Sequence, residues 1–159
     1  MLTGSSMRLS QKLVSTCLGI GYIGKGGGTV AAAAACALWY VVFRNEGSQY
    51  ILWQPLLVMA LLALSVWSAD AMEPIWGKDD RKVVIDEAAG MGTSLLFIPV
   101  TPGYLLAGLI LFRFFDIVKP LCIRRLERLP GGWGVTADDA AAGICTNIVL
   151  QIALYCQTL

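Results

Sequence analysis

Four stretches of this chain carry no Asp, Glu, Lys or Arg: residues 26–43, 47–69, 88–112 and 140–159. They run for 18, 23, 25 and 20 residues, and all 23 charged side chains fall outside them. A helix that crosses a bilayer needs about 20 mostly apolar residues. A charge at the bilayer centre costs at least about 2.5–3.5 kcal/mol. The pattern therefore predicts an all-α polytopic membrane bundle of four to five hydrophobic helices. They fall at roughly 29–44, 50–69, one or two within 88–118, and 137–157. Residues 7–18 read as a short interfacial segment, with Leu9, Leu13 and Val14 on one side and Arg8 and Lys12 offset. Asn45–Gln49 reads as a polar turn, and Asp70–Glu87 and Lys119–Pro130 as charged loops. The whole chain, 1–159, reads as a single domain.

Residues 88–118 set the topology. Pro99, Pro102 and Gly103 lie within five residues, a strong helix breaker. A single crossing would split the twelve basic residues six to each side of the membrane. A Pro-broken hairpin instead puts eleven of the twelve on one face, leaving only Arg44 on the other. The positive-inside rule then makes that face cytoplasmic. The hairpin is preferred, with the N-terminus in the cytoplasm and the C-terminus outside. Its first arm, 87–98, rises only about 18 Å, so it is either re-entrant or thins the bilayer. Residues 31–36 (AAAAAC) read as a small-residue face for close helix packing.

Composition sharpens the picture. The chain is 57% hydrophobic and 14% charged, against about 25% charged in a soluble domain. Its net charge of +1 offers no basic field for nucleic acid. It has no His at all, which removes His-built zinc hydrolases and Ser–His triads. The five cysteines (17, 36, 122, 145 and 156) form no C-x-x-C pair and read as reduced and structural. The first long apolar run starts near Thr29 without a cleavage site, so no secretory signal is expected.

Candidate chemistry concentrates where apolar runs meet charged loops. The first cluster is Lys78-Asp79-Asp80-Arg81-Lys82 with Asp86-Glu87. The second is Arg113-Phe114-Phe115-Asp116 through Lys119-Pro120. The third is Gly131-Gly132-Trp133-Gly134 through Asp138-Asp139. The hairpin brings all three to the cytoplasmic interface. Paired carboxylates suit Mg²⁺, a hard cation that takes oxygen ligands and shares them with phosphate. Arg113 and Lys119 suit a phosphate group.

Each cluster also has a plainer explanation. With Thr136 as N-cap, Asp138 and Asp139 would lie in a first helical turn, where the dipole favours acids. The run from Asp79 to Lys82 reads equally as a solvated loop, and Arg113 with Asp116 as an i, i+3 helix pair. An ion pair between apolar stretches of membrane depth is costlier, and such residues mark function. Two apparent motifs are set aside. Gly19 to Lys25 has the spacing of a phosphate-binding loop, but Gly26 stands where a Ser or Thr must follow, and no strand precedes it. Cys122 and Arg128 have the Cys-x₅-Arg spacing of cysteine phosphatases without the glycines that cradle phosphate.

Three stretches together, KDDRKVVIDEAAG (78–90), LFRFFDIVKP (111–120) and GGWGVTADDAAAG (131–143), resemble the phosphatidylglycerophosphatase A family in order and spacing. GIGYIGKGGGT (19–29) is a weaker match. The chain departs from the family at Gly26-Gly27-Gly28, where Ala-Pro-Gly is usual, and at Asp80 and Cys122, where Pro is usual. The resemblance implies Mg²⁺-dependent hydrolysis of phosphatidylglycerophosphate, a lipid substrate, at the cytoplasmic face of a bacterial inner membrane. It points to Asp79, Asp86, Glu87, Arg113, Asp116, Lys119, Asp138 and Asp139. Chemistry then assigns Asp86, Glu87, Asp138 and Asp139 to metal. Asp116 is the candidate base or an outer ligand of the metal site, Asp79 is a further catalytic candidate, and Arg113 and Lys119 grip phosphate. Thr29 and the amides of Gly131, Gly132 and Gly134 complete the substrate set. Two alternatives stay open: a metal-dependent phosphatase for another lipid phosphate, and a non-catalytic membrane subunit with an ion site.

Overall fold

The computed structural model describes residues 4–44, 50–120 and 123–158. The expected turn at Asn45–Gln49 and Cys122 lie outside the described residues. Among the described residues the fold is all-helical. The helices are α1 (Gly4–Ser15), α2 (Gly27–Phe43), α3 (Tyr50–Trp76), α4 (Ile85–Ser94), α5 (Pro102–Val118), α6 (Ile123–Leu126) and α7 (Gly132–Thr158). A 3₁₀ turn, Ile20–Ile23, precedes α2.

Helix α2 buries Ala32, Cys36, Trp39 and Phe43, a stripe at helical spacing, and exposes Leu38 and Val41. Helix α3 runs seven residues beyond its expected end, through Asp70, Glu73 and Pro74. Asp70 is not a loop charge: its Oδ1 accepts the Gly132 amide at 2.6 Å and so satisfies a free donor at the start of α7. Helix α7 starts five residues earlier than expected. Thr136 is therefore no N-cap. It lies inside α7, and its hydroxyl is 2.7 Å from that of Ser65 on α3. Asp138 and Asp139 fall beyond the first turn, so helix capping does not explain them.

The break between α4 and α5 covers residues 95–101, and Pro102 opens α5 rather than lying in the break. Helix α4 has ten residues, about 15 Å of rise, too short for a hydrocarbon core of about 30 Å. It is buried along nearly its whole length. Amide side chains satisfy the turn that follows it. Asn147 Nδ2 donates to the carbonyls of Ser94 (3.1 Å) and Leu96 (2.8 Å), and Gln54 Oε1 accepts the Phe97 amide at 3.0 Å. Buried backbone groups outside a helix require such internal partners.

Among the described residues two helices, α3 from Leu52 and α7, are long and apolar enough to cross a membrane; α2 is a shorter apolar helix. Of the four to five spans expected, two thus meet the criterion of length and composition among the described residues. Apolar side chains nonetheless face outward on several helices. Leu52, Leu56 and Met59 do so on α3, Leu106 and Ile110 on α5, and Ile144, Ile148 and Ile152 on α7.

Helices α4 and α7 meet backbone to backbone. A Cβ at Gly143 would stand 2.4 Å from the Gly90 carbonyl, and a Cβ at Gly90 would stand 2.7 Å from the Asp139 carbonyl. Nothing lies within 4 Å of a Cβ at Gly103. Gly143→Ala is expected to cost about 1–3 kcal/mol by overpacking, read by unfolding in detergent. Gly103→Ala is expected to leave stability unchanged or raised.

Candidate active site

Three helix ends converge on one cavity of about 770 Å³. The first turn of α4 supplies Asp86 and Glu87, at the positive end of the helix, where acids are favoured. The last turns of α5 supply Arg113 and Asp116, with Lys119 as its left-handed C-cap (φ 47°). Helix α7 supplies Asp138 and Asp139. Asp79, exposed on the loop between α3 and α4, completes the set. All eight acids and bases singled out by sequence therefore line the same space. Asp79 and Asp138 are on one side of the fold, as a chain that doubles back at 95–101 requires.

The remaining expected site residues are placed differently. Thr29 is exposed and does not line the cavity. Gly131 and Gly132 do not line it either, and Gly134 borders a neighbouring space of about 300 Å³ with Asp79 and Asp138. The Gly132 amide is held by Asp70, and the Gly134 amide donates to the Gly131 carbonyl at 3.1 Å. These glycines serve close packing: a Cβ at Gly132 would stand 2.4 Å from the Val66 carbonyl. Lys25, Gly26, Gly27 and Gly28, which the sequence does not mark for the site, and Arg81, which falls in the first cluster but has no role assigned there, all line the cavity. The glycine run is the available signal. A Cβ at Gly28 would stand 1.9 Å from Glu87 Oε1, so its missing side chain makes room for that carboxylate.

Carboxylate oxygens of Asp86, Glu87 and Asp139 lie within 4.8 Å of one another. Asp86 Oδ1, Glu87 Oε2 and Asp139 Oδ2 are buried and have no hydrogen-bond partner. Buried like charges at this separation repel, and an unpaired buried polar atom is costly. An all-oxygen, acidic donor set with free lone pairs fits a hard divalent cation. Asp138 is placed otherwise. Its Oδ2 accepts from the Lys119 ammonium, which also donates to Glu127 Oε1 at 2.7 Å.

Basic groups divide the cavity's electrostatics. Arg113 Nη1 pairs with Asp116 Oδ2 at 2.6 Å, while its buried Nε has no partner and remains a donor for an anion. Burial pulls the Lys119 pKa down, but its bonds to Asp138 and Glu127 outweigh that and leave it raised. Glu127 is held low, chiefly by its bond to Lys119. Burial, with help from the Glu87 charge, pushes the Cys17 thiol up to about 11, so it is no thiolate nucleophile.

A family model described as Phosphatidylglycerophosphatase A matches residues 13–154. The chain is 34% identical, over 90% of its length and 92% of the relative's, to a Bacteroides thetaiotaomicron protein provisionally named a phosphatidylinositol-3-phosphatase. It is 30% identical to the Escherichia coli K12 protein named phosphatidylglycerophosphatase A, over 77% of this chain and 71% of that one. A Haemophilus influenzae protein of the same name is 40% identical over 48% of each chain. No solved structure matches.

The carboxylate cluster predicts a measurable ion site. Calorimetric titration of Mn²⁺ into the purified protein should show binding. Asp139→Asn should weaken it by more than about tenfold while the protein remains folded.

Proposed function

The chain belongs to the phosphatidylglycerophosphatase A family, a group of phosphoric monoester hydrolases, and from that premise we propose that it hydrolyses phosphatidylglycerophosphate to phosphatidylglycerol and phosphate. One observation carries the chemistry: three buried carboxylates within 4.8 Å share a cavity with a buried arginine donor. Asp86, Glu87 and Asp139 would hold Mg²⁺. When bound, it would neutralise phosphate charge and make bound water more acidic.

The chain's own residues supply the rest. Arg113 offers Nε to the phosphoryl oxygens, and Asp116 positions its guanidinium through their ion pair. Water attacks phosphorus as the bond to the glycerol oxygen breaks. Asp79, exposed at the cavity and without a hydrogen bond among the described residues, takes the water proton and returns it to the leaving oxygen. Lys119 holds Asp138 beside this path.

The membrane placement belongs to the same reading. Helices α2, α3, α5 and α7 cross a bacterial inner membrane, α4 enters it partway, and the cavity faces the cytoplasm. Outward apolar side chains on α3, α5 and α7 support this. So does the charge pattern, which puts every basic residue except Arg44 on the cavity side. The Bacteroides relative favours a second substrate, a phosphoinositide monophosphate.

Purified protein in detergent with Mg²⁺ should release phosphate from phosphatidylglycerophosphate, and EDTA should abolish release. Asp86→Asn and Asp139→Asn should each lose more than about a hundredfold, beyond what outer-shell partners contribute, with thermal unfolding used to check that they fold. Faster release from phosphatidylinositol 3-phosphate or a polyprenyl phosphate would reassign the substrate. Metal binding without release from any of them would identify a non-catalytic ion site.

A further inference from the structure

A second space of about 480 Å³ adjoins the catalytic cavity. The two share Gly24, Asp79, Asp80 and Arg81 as a common wall. Their charges differ in sign. The catalytic cavity is lined by seven carboxylates against four cations. The adjoining one is lined by three cations, Lys78, Arg81 and Lys82, against Asp79 and Asp80. Asp80 is already engaged by Lys82 at 3.2 Å, and Lys78 Nζ donates to the Leu129 carbonyl at 3.3 Å. Arg81 is exposed and has no hydrogen bond or ion pair among the described residues. It is thus a free cation common to both spaces.

Aromatic rings form the far side of this vestibule. Tyr22 and Trp76 meet edge to face at 6.4 Å, and Lys82 Nζ lies 5.1 Å from the Trp76 ring. Paired aromatics of this kind favour the headgroup level of a membrane. An anion at that level, next to a site for a terminal phosphate, matches the chemistry of one lipid class. Phosphatidylglycerophosphate and phosphatidylinositol 3-phosphate both carry an internal phosphodiester as well as a terminal phosphomonoester.

We infer that Arg81 binds the phosphodiester of the substrate in this vestibule while the phosphomonoester occupies the carboxylate-lined cavity. Arg81 is then a specificity residue for lipids with both phosphates, and lipids with a single phosphate lose its contact. The inference rests on the lipid-phosphate reading above.

Two products report the two ends of the site separately. Phosphatidylglycerol carries only the diester, and inorganic phosphate occupies only the monoester position. In the phosphate-release assay, Arg81→Gln should raise KM for phosphatidylglycerophosphate and Ki for phosphatidylglycerol about tenfold, the scale of one charge-assisted hydrogen bond. It should leave Ki for inorganic phosphate unchanged. Arg81→Lys should recover part of the loss, and Arg8→Gln, a charge removed elsewhere on the surface, should change neither constant. Unchanged KM and Ki in Arg81→Gln, or an equal rise for both inhibitors, would overturn the inference. If the wild-type protein releases no phosphate, the hydrolase substrate reading fails. Calorimetric binding of short-chain phosphatidylglycerol then decides the role of Arg81 alone: weaker binding to Arg81→Gln supports it, and equal binding overturns it.

Discussion

Helices α4 and α7 approach so closely that neither Gly90 nor Gly143 has room for a side chain. The carboxylate cluster of the candidate site depends on that contact. It carries Asp86 and Glu87 from one helix to within reach of Asp139 on the other. Nothing in the local sequence of either helix could do so, since the acids are more than fifty residues apart. Small residues at a helix interface are a general device for close approach in membranes, where apolar burial gives little drive to association.

Close packing here produces an electrostatic problem as well as a shape. Three carboxylates share a buried volume, and the two cations at the end of α5 already have carboxylate partners of their own. Arg113 is paired with Asp116, and Lys119 with Asp138 and Glu127. The free oxygens of Asp86, Glu87 and Asp139 therefore need a counter-charge from outside the chain. A divalent cation would satisfy that need, and its remaining positive charge would suit a phosphate ester. The same charge contrast separates the acidic cavity from the cationic vestibule beside it.

Much of the site is legible in the sequence because its charges stand at the borders of long charge-free stretches, so they stand out. Asp86, Glu87, Arg113, Asp116, Lys119, Asp138 and Asp139 are visible for this reason. The chain reversal before α5 is visible from its prolines, although the break begins upstream of them at residue 95. Helix ends are less legible. Asp70 reads as a loop charge, and only its bond to the Gly132 amide makes it the partner of a helix start. Gly131, Gly132 and Gly134 suggest an anion nest, yet close contacts with α3 and the preceding loop account for their missing side chains. Such roles depend on the partner across the fold, which no local pattern reveals.

Whether Asp86, Glu87 and Asp139 together hold a divalent cation is tested most directly by anomalous diffraction from crystals of the protein grown with Mn²⁺. The expected result is a manganese peak within coordination distance of all three carboxylates. Manganese bound elsewhere, with no peak between them, would contradict the shared ion site.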